Sequence, residues 1–356
     1  MDFLVKRDNL HECRVEESAP AELEPGQARL GVSAFGFTSN NITYAVLGEA
    51  MSYWDFFPAE EGWGRIPVWG FADVIATASE GLDEGARVFG YLPISSELVV
   101  APERADARGF VDGSPHRAEL PPAYQSYRKV AGDPAYDAGY EDQQMLFFPL
   151  FFTSFLIDDY LADSDFFGAR AVVLSSASSK TALGVAFLLA RREGIEVIGL
   201  TSAGNVGFVE GRGSYDCVLT YDAVDSLPRG EAVYVDMSGN ANLRDAVHRH
   251  YGDELAHSSV VGVTHWDNTE GGESELPGPR PTFFFAPDRI TERTKEWGTD
   301  GLEARFREAW RPFVEDTGRW LEVVHGKGPE AVERVYRELL EGRTDPSVGH
   351  VLSLPS

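Results

Sequence analysis

From residue 171 onward the chain alternates short apolar, β-branched runs with helical stretches, and few folds accommodate that alternation. The runs at 171–174, 196–200, 217–220, 232–235 and 259–263 carry little polarity on either face, as strands covered on both sides of a parallel sheet require. A helix is predicted over 181–193, stopped by Gly194. This is the pattern of a doubly wound α/β unit. Upstream, 28–32, 73–76, 87–91 and 96–100 are short β-rich runs between Gly, Pro and acidic turns, which predict an all-β, barrel-like opening. Between them, residues 104–144 turn rich in Tyr, Asp, Pro and Gly, with Tyr124, Tyr127, Tyr136 and Tyr140, and predict a long irregular connection or lid. After Pro281 an aromatic strand at 282–286, helices around 302–313 and 331–340 and a final strand at 350–354 complete the chain. At 356 residues two domains are expected: 1–145 with 300–356, and 146–299.

Composition narrows the function. With 43% hydrophobic and 25% charged residues the chain is globular rather than disordered. A formal charge of −26 repels phosphate backbones and anionic lipid, so neither nucleic acid nor membrane is expected as a partner. Cys13 and Cys217 build neither a disulfide framework nor a cysteine zinc site. Charges at Asp2, Lys6, Arg7 and Asp8 argue against a secretory signal, and the apolar run 145–157, broken by Pro149, Thr153 and Ser154, falls short of the roughly 18 residues that span a bilayer. A soluble, cytoplasmic protein is expected.

The turn after the first parallel strand reads SSASSKTALG over 175–184. In such a turn, backbone N–H groups and a helix N-terminus can approach a pyrophosphate. Glycines usually allow this; here small residues keep the approach open, Ser176, Ser178, Ser179 and Thr181 offer hydroxyls, and Lys180 offers a cation. The same residues would equally serve as a serine-rich helix cap with no ligand. The second strand ends in Thr201, Ser202 and Asn205 without the carboxylate that grips the ribose of NAD, so NADPH is the expected cofactor, helped by Lys180 or Arg212. Tyr221, after the third strand, is a candidate wall for an adenine, and Ser238 and Gly239, after the fourth, lie at the carboxyl edge where ligands of open sheets collect.

The order of barrel, connection, α/β unit and helical return is similar to the medium-chain dehydrogenase/reductase superfamily, most of all its zinc-free quinone oxidoreductase branch. Three stretches carry the likeness: GLDEGARVFG at 81–90, which resembles a barrel turn of that family, 172–194, placed like its first βα unit, and 196–222, like its second. The run PTFFFAP at 281–287 resembles an uncharacterised subfamily. The resemblance implies a GroES-like β-barrel domain plus a Rossmann domain, NADPH-dependent reduction of a small quinone-, enone- or enoyl-like substrate, and a homodimer. It places His265 and Trp266 beside the nicotinamide, Thr153 near it, and Asn40, Asn41, Tyr44, Tyr53 and Trp54 toward the cleft, where Tyr53, Tyr44 or His265 can donate a proton. Each also has an ordinary structural reading, as wall, loop or cap. Where zinc-dependent members carry Cys and Gly-His-Glu, this chain has GFTSNN at 36–41 and VWGF at 68–71, so no metal is expected. Two rivals stay open: a redox-inactive lyase or hydrolase reusing the Ser-Lys turn, and a non-catalytic nucleotide or small-molecule binder.

Overall fold

The apolar runs of the second half pair into one six-stranded, all-parallel sheet. Across it lie Cys217–Thr220, Glu196–Thr201, Ala171–Leu174, Ala232–Asp236, Leu255–Val260 and Thr282–Phe283. In chain order this is third, second, first, fourth, fifth, sixth, so the winding reverses between Ala171–Leu174 and Ala232–Asp236. Val172, Val173, Val233 and Val235 are buried because helices such as Lys180–Leu189 and Ala241–Tyr251 cover the strands. The computed structural model describes residues 1–17, 22–261 and 276–355 and divides into two units: Met1–Phe148 with Trp320–Ser356, and Pro149–Arg319.

The first unit is built on antiparallel pairing. Ala28–Phe37 pairs with Pro67–Thr77, which pairs with Arg87–Pro93, and Asp2–Lys6 and Asn9–Glu16 form a separate hairpin. At one edge Glu322–Lys327 and Val348–Ser353 run parallel, linked by helix Pro329–Leu340, and Val348–Ser353 joins Ala28–Phe37. Beyond Arg87–Pro93 the sheet continues with Ser126–Lys129 and then Gly109–Asp112. The expectation of an irregular 104–144 is thus corrected: two four-residue strands extend the sheet, too short to show a period between the prolines at 115, 121 and 122. Arg117 is buried in their loop and paired with buried Asp112 at 3.1 Å.

The expected domain boundary at 300 also moves. Helix Ala286–Thr317 belongs to the second unit, and the return begins at Trp320. Gly298, with φ 72°, kinks this helix, and with Gly301 it hid the helical period. Arg289 and Arg293 anchor the helix to Asp159 of helix Glu141–Asp163, each through its Nε at 2.7 Å. By length and composition the stretch Ala138–Asp163 is apolar enough to cross a membrane, but 61% of its apolar window is buried inside the protein, as in a core helix. Pro149 within it offers no N–H to the Met145 carbonyl, and Gly36 fits against that carbonyl: a Cβ on Gly36 would lie 2.6 Å from it.

Buried histidines make this fold sensitive to acid. His248 Nδ1–H donates to the Pro277 carbonyl at 2.9 Å, and its Nε2 accepts from the Ser258 hydroxyl at 2.9 Å. His257 lies flat on Phe167, with ring centroids 4.0 Å apart. Desolvation lowers both pKa values below the usual 6.5, in His248 against an opposing pull from the Pro277 carbonyl. Below pH 6.5 the unfolded chain therefore takes up protons that the folded chain refuses, and stability present above that pH is lost as pH falls toward the folded values. Urea midpoints should drop between pH 7.5 and 5.5, with a slope of up to about 1.4 kcal/mol per pH unit for each histidine. Equal midpoints at the two pH values would refute this.

Candidate functional site

Ligands of a doubly wound sheet collect outside the carboxyl ends of the strands, where the winding reverses. Here that point lies between Ser175, following Ala171–Leu174, and Asp236, ending Ala232–Asp236. Both are fully buried, and the Ser175 hydroxyl donates to Asp236 at 2.9 Å. The Asp236 carboxylate also accepts from the Ser238 N–H and hydroxyl, the Gly239 N–H and Arg244. Ser175 Oγ in turn accepts from the N–H groups of Met237 and Ser238. Ser238 and Gly239 are therefore held at the switch point by a carboxylate that sequence reasoning missed. Its position at the end of a β-branched strand, just before Met-Ser-Gly, was the available signal.

The serine-rich turn is tightly organised. Ser176 has φ 52°, the left-handed region where a glycine is at ease, and such a residue persists only where its surroundings enforce it. Its carbonyl accepts from the Ser179 N–H at 2.7 Å. Ser179 caps helix Lys180–Leu189, its hydroxyl accepting from the Ala182 N–H at 3.3 Å. Lys180 is the first residue of that helix, and the Thr181 carbonyl accepts from the Ser154 hydroxyl at 2.8 Å. Helix Glu141–Asp163 passes close: a Cβ on Gly184 would lie 2.5 Å from Ser154 Oγ, so glycine is required there even though the turn itself has none.

The ends of the first two parallel strands are joined through side chains. Ser178 Oγ accepts from Asn205 Nδ2 at 2.9 Å and from the buried Thr201 hydroxyl at 3.4 Å, leaving the Ser178 proton to donate onward. Ser202 is exposed beside them. Tyr221 reaches the Ser176 hydroxyl and N–H, while partial burial raises its phenol pKa. Thr153 is different: it sits inside helix Glu141–Asp163 and donates back to the Pro149 carbonyl at 3.3 Å, so it is a helix-interior hydroxyl and not an N-cap.

The expected cleft residues of the first unit separate into two groups. Trp54 is buried between Gly48 and Gly64, where any Cβ would strike its ring, and Asn41 is buried, bonding Thr38 and the Pro67 carbonyl. Both are core residues rather than cleft residues. Tyr44 and Tyr53, by contrast, stand with ring centroids 4.6 Å apart in an aromatic cluster with Phe56, Trp69, Tyr91 and Tyr124. Tyr44 is 7% exposed and Tyr53 half-buried. Desolvation raises both phenol pKa values above the usual 10, so both stay protonated at neutral pH. Asn40 and Trp69 lie at the Tyr44 oxygen, and the Tyr53 and Tyr124 hydroxyls lie side by side. Tyr124 comes from the 104–144 segment, whose tyrosine content was the one hint of it. His265 and Trp266 lie outside the described residues. Among the described residues, no group of three or more His, Cys, Asp or Glu is arranged to hold a metal ion.

Residues 35–345 match the family described as protein of unknown function DUF2855. No curated protein sequence matches the chain. Among solved structures, CurA from Vibrio vulnificus is similar over 99% of this chain and 96% of that chain, with a TM-score of 0.61 at 14% identity. CurA in complex with NADPH aligns with a TM-score of 0.56 at 13% identity, over 99% and 97% of the two chains. The yhdH oxidoreductase from Salmonella enterica in complex with NADP gives 0.55 at 13% identity, over 97% and 96%. The chain therefore belongs to the DUF2855 family and has the fold of the medium-chain dehydrogenase/reductase superfamily, with a GroES-like barrel unit and a doubly wound Rossmann unit.

Proposed function

We propose that this protein is an NADPH-dependent oxidoreductase that reduces an activated alkene or carbonyl without zinc. One observation carries the reading: Ser178, Thr201 and Asn205 meet at the end of strand Glu196–Thr201 with no carboxylate among them. An acid there would grip the ribose of NAD and repel a 2′-phosphate, whereas hydroxyl and amide groups can donate to one. The donor set suits a dinucleotide phosphate in two further respects. The first-turn N–H groups of helix Lys180–Leu189 have no acceptor within the helix, and Lys180 brings positive charge to that end. CurA and the yhdH oxidoreductase, which share the fold, hold NADPH and NADP in their crystal structures.

NADPH, when bound, supplies the hydride. Ser176 and Ser178 orient the phosphates, and Ser238 and Gly239, held by Asp236, form the floor of the crevice at the switch point. Tyr53 keeps a phenolic proton for the carbon or oxygen that becomes basic as the substrate is reduced. The hydrolase alternative gains nothing from the structure. Its Ser–His contacts among the described residues, Ser258 with His248 and Ser259 with His257, are both buried within the sheet and its covering helices.

Titration of the protein with NADPH and NADH, followed by tryptophan fluorescence, tests the assignment: quenching is expected with NADPH well below the concentration at which NADH acts. Lys180→Ala should weaken NADPH by about 1–3 kcal/mol, the value of a charge-assisted phosphate contact. Equal affinity for both nucleotides, or for neither, overturns the assignment; an unchanged Kd in the variant removes Lys180 from the site.

A further inference from the structure

Ser179 alone suffices to cap helix Lys180–Leu189, yet the backbone just ahead of it is tied on both sides. Ala177 is fully buried and both of its backbone groups are bound. Its N–H donates to the Leu200 carbonyl at 3.0 Å, and its carbonyl accepts from the Tyr215 hydroxyl at 2.9 Å. That hydroxyl also lies 3.3 Å from the Ala182 carbonyl, so one phenol spans the serine-rich turn and the first turn of the helix. Desolvation raises the Tyr215 pKa, which keeps the hydroxyl a donor.

Tyr215 is itself held from behind. Asp216, the next residue, exchanges hydrogen bonds with Val197: its N–H donates to the Val197 carbonyl at 2.8 Å, and its carboxylate accepts from the Val197 N–H at 2.8 Å. Strand Glu196–Thr201 also makes room for the ring. A Cβ on Gly199 would lie 2.9 Å from the Tyr215 ring and 3.0 Å from the Ala177 Cβ, so the glycine that the turn lacks stands on the neighbouring strand.

Peptide planarity then sets where the next N–H points. The Ala177–Ser178 peptide is trans, and in a trans peptide the carbonyl and the following N–H point in opposite directions. Turning the Ala177 carbonyl inward onto Tyr215 therefore turns the Ser178 N–H outward. Ser178 is partly exposed, and no acceptor among the described residues meets that N–H.

We propose that Tyr215 is a positioning residue for the coenzyme: by holding the Ala177 carbonyl, it aims the Ser178 N–H at a diphosphate oxygen before the ligand arrives. The inference rests on the NADPH reading and adds to it a residue that acts only through the turn. A turn already ordered loses little conformational freedom on binding. Without the hydroxyl the 177–178 peptide is free to rotate, and that advantage is lost.

The test is calorimetric titration of the full chain with NADPH and, separately, with adenosine 2′-monophosphate, which keeps the adenine and the 2′-phosphate but has no diphosphate. Tyr215→Phe keeps the ring and should weaken NADPH about threefold to tenfold, the range for one hydrogen bond, while adenosine 2′-monophosphate stays within about twofold. A role in stability alone would move both ligands together or neither. Either result, with NADPH still bound by the parent, overturns the inference and leaves the coenzyme reading standing, whereas a parent that binds no NADPH overturns both. If Tyr215→Phe does not fold, the parent decides through deuterium exchange at the Ser178 amide. Exchange should be rapid in the free chain and slowed by NADPH; exchange unchanged by bound NADPH overturns the inference.

Discussion

Tyr53→Phe is expected to lower kcat for NADPH-dependent reduction of an enone by about 10²- to 10⁴-fold, the usual worth of a positioned general acid. The variant keeps the ring, so packing against Tyr44 at 4.6 Å and Phe56 at 6.4 Å survives, and KM and melting temperature should move little. What it removes is the proton. Burial holds the Tyr53 pKa above 10, and an acid of that kind loses its proton only as pH rises through that value. The kcat profile should therefore show no loss from this group up to pH 10. Tyr44→Phe is the control, because Tyr44 is 7% exposed and its oxygen already faces Asn40 and Trp69; its kcat should stay within a small factor of the parent. Steady-state kinetics of the two variants decides the matter. Parental kcat in Tyr53→Phe would make Tyr53 a wall and pass the donor role to water or another group.

The parts of this architecture legible in the sequence were those whose burial is uniform. Ala171–Leu174 was read to the residue because a strand lying inside a parallel sheet shows an unbroken apolar run, and Cys217–Thr220, though an edge strand only partly covered, keeps enough apolar character to be read as well. The hairpin of Asp2–Lys6 and Asn9–Glu16 escaped notice because its second strand, NLHECRVE, is mostly polar and only partly covered. Glu322–Lys327 escaped for the same reason. The serine-rich turn was legible as a strand-to-helix turn, since serines there suit the cap of a following helix, as Ser179 caps Lys180–Leu189. Tyr91, Tyr124 and Trp69 were not legible as a group. They come from strand, turn and strand far apart in sequence, and only the antiparallel pairing of Pro67–Thr77 with Arg87–Pro93, extended by Ser126–Lys129, assembles them. Asp236 was hidden by its own environment: an acid at a strand end reads as a turn residue until the parallel register of Leu174 with Val235 sets Ser175 against it.

Asp236→Ala should be the most destabilising single substitution at the site, because it removes one acceptor from five donated hydrogen bonds at a position with 0% exposure. The expected loss is about 3–5 kcal/mol, the range for breaking a buried charged partnership from one side. Arg244 can recover part of its hydration, being 23% exposed, but the fully buried Ser175 hydroxyl cannot. Asp236→Asn divides the two contributions. The carboxylate oxygen that takes four of the hydrogen bonds, Oδ1, is replaced in kind by the amide oxygen, whereas Oδ2, which takes Arg244, becomes an NH₂ facing another donor. The turn should therefore persist in Asn at a cost of about 1.5–3 kcal/mol, that of one charge-assisted hydrogen bond. If Asp236 holds the crevice floor, NADPH affinity should follow the turn and not the charge: near parental in Asn and weakened in Ala under conditions where both variants remain folded. Urea denaturation read beside nucleotide titration separates these outcomes. An alanine variant that melts lower yet binds NADPH as tightly as the parent would confine Asp236 to stability and detach Ser238 and Gly239 from the cofactor.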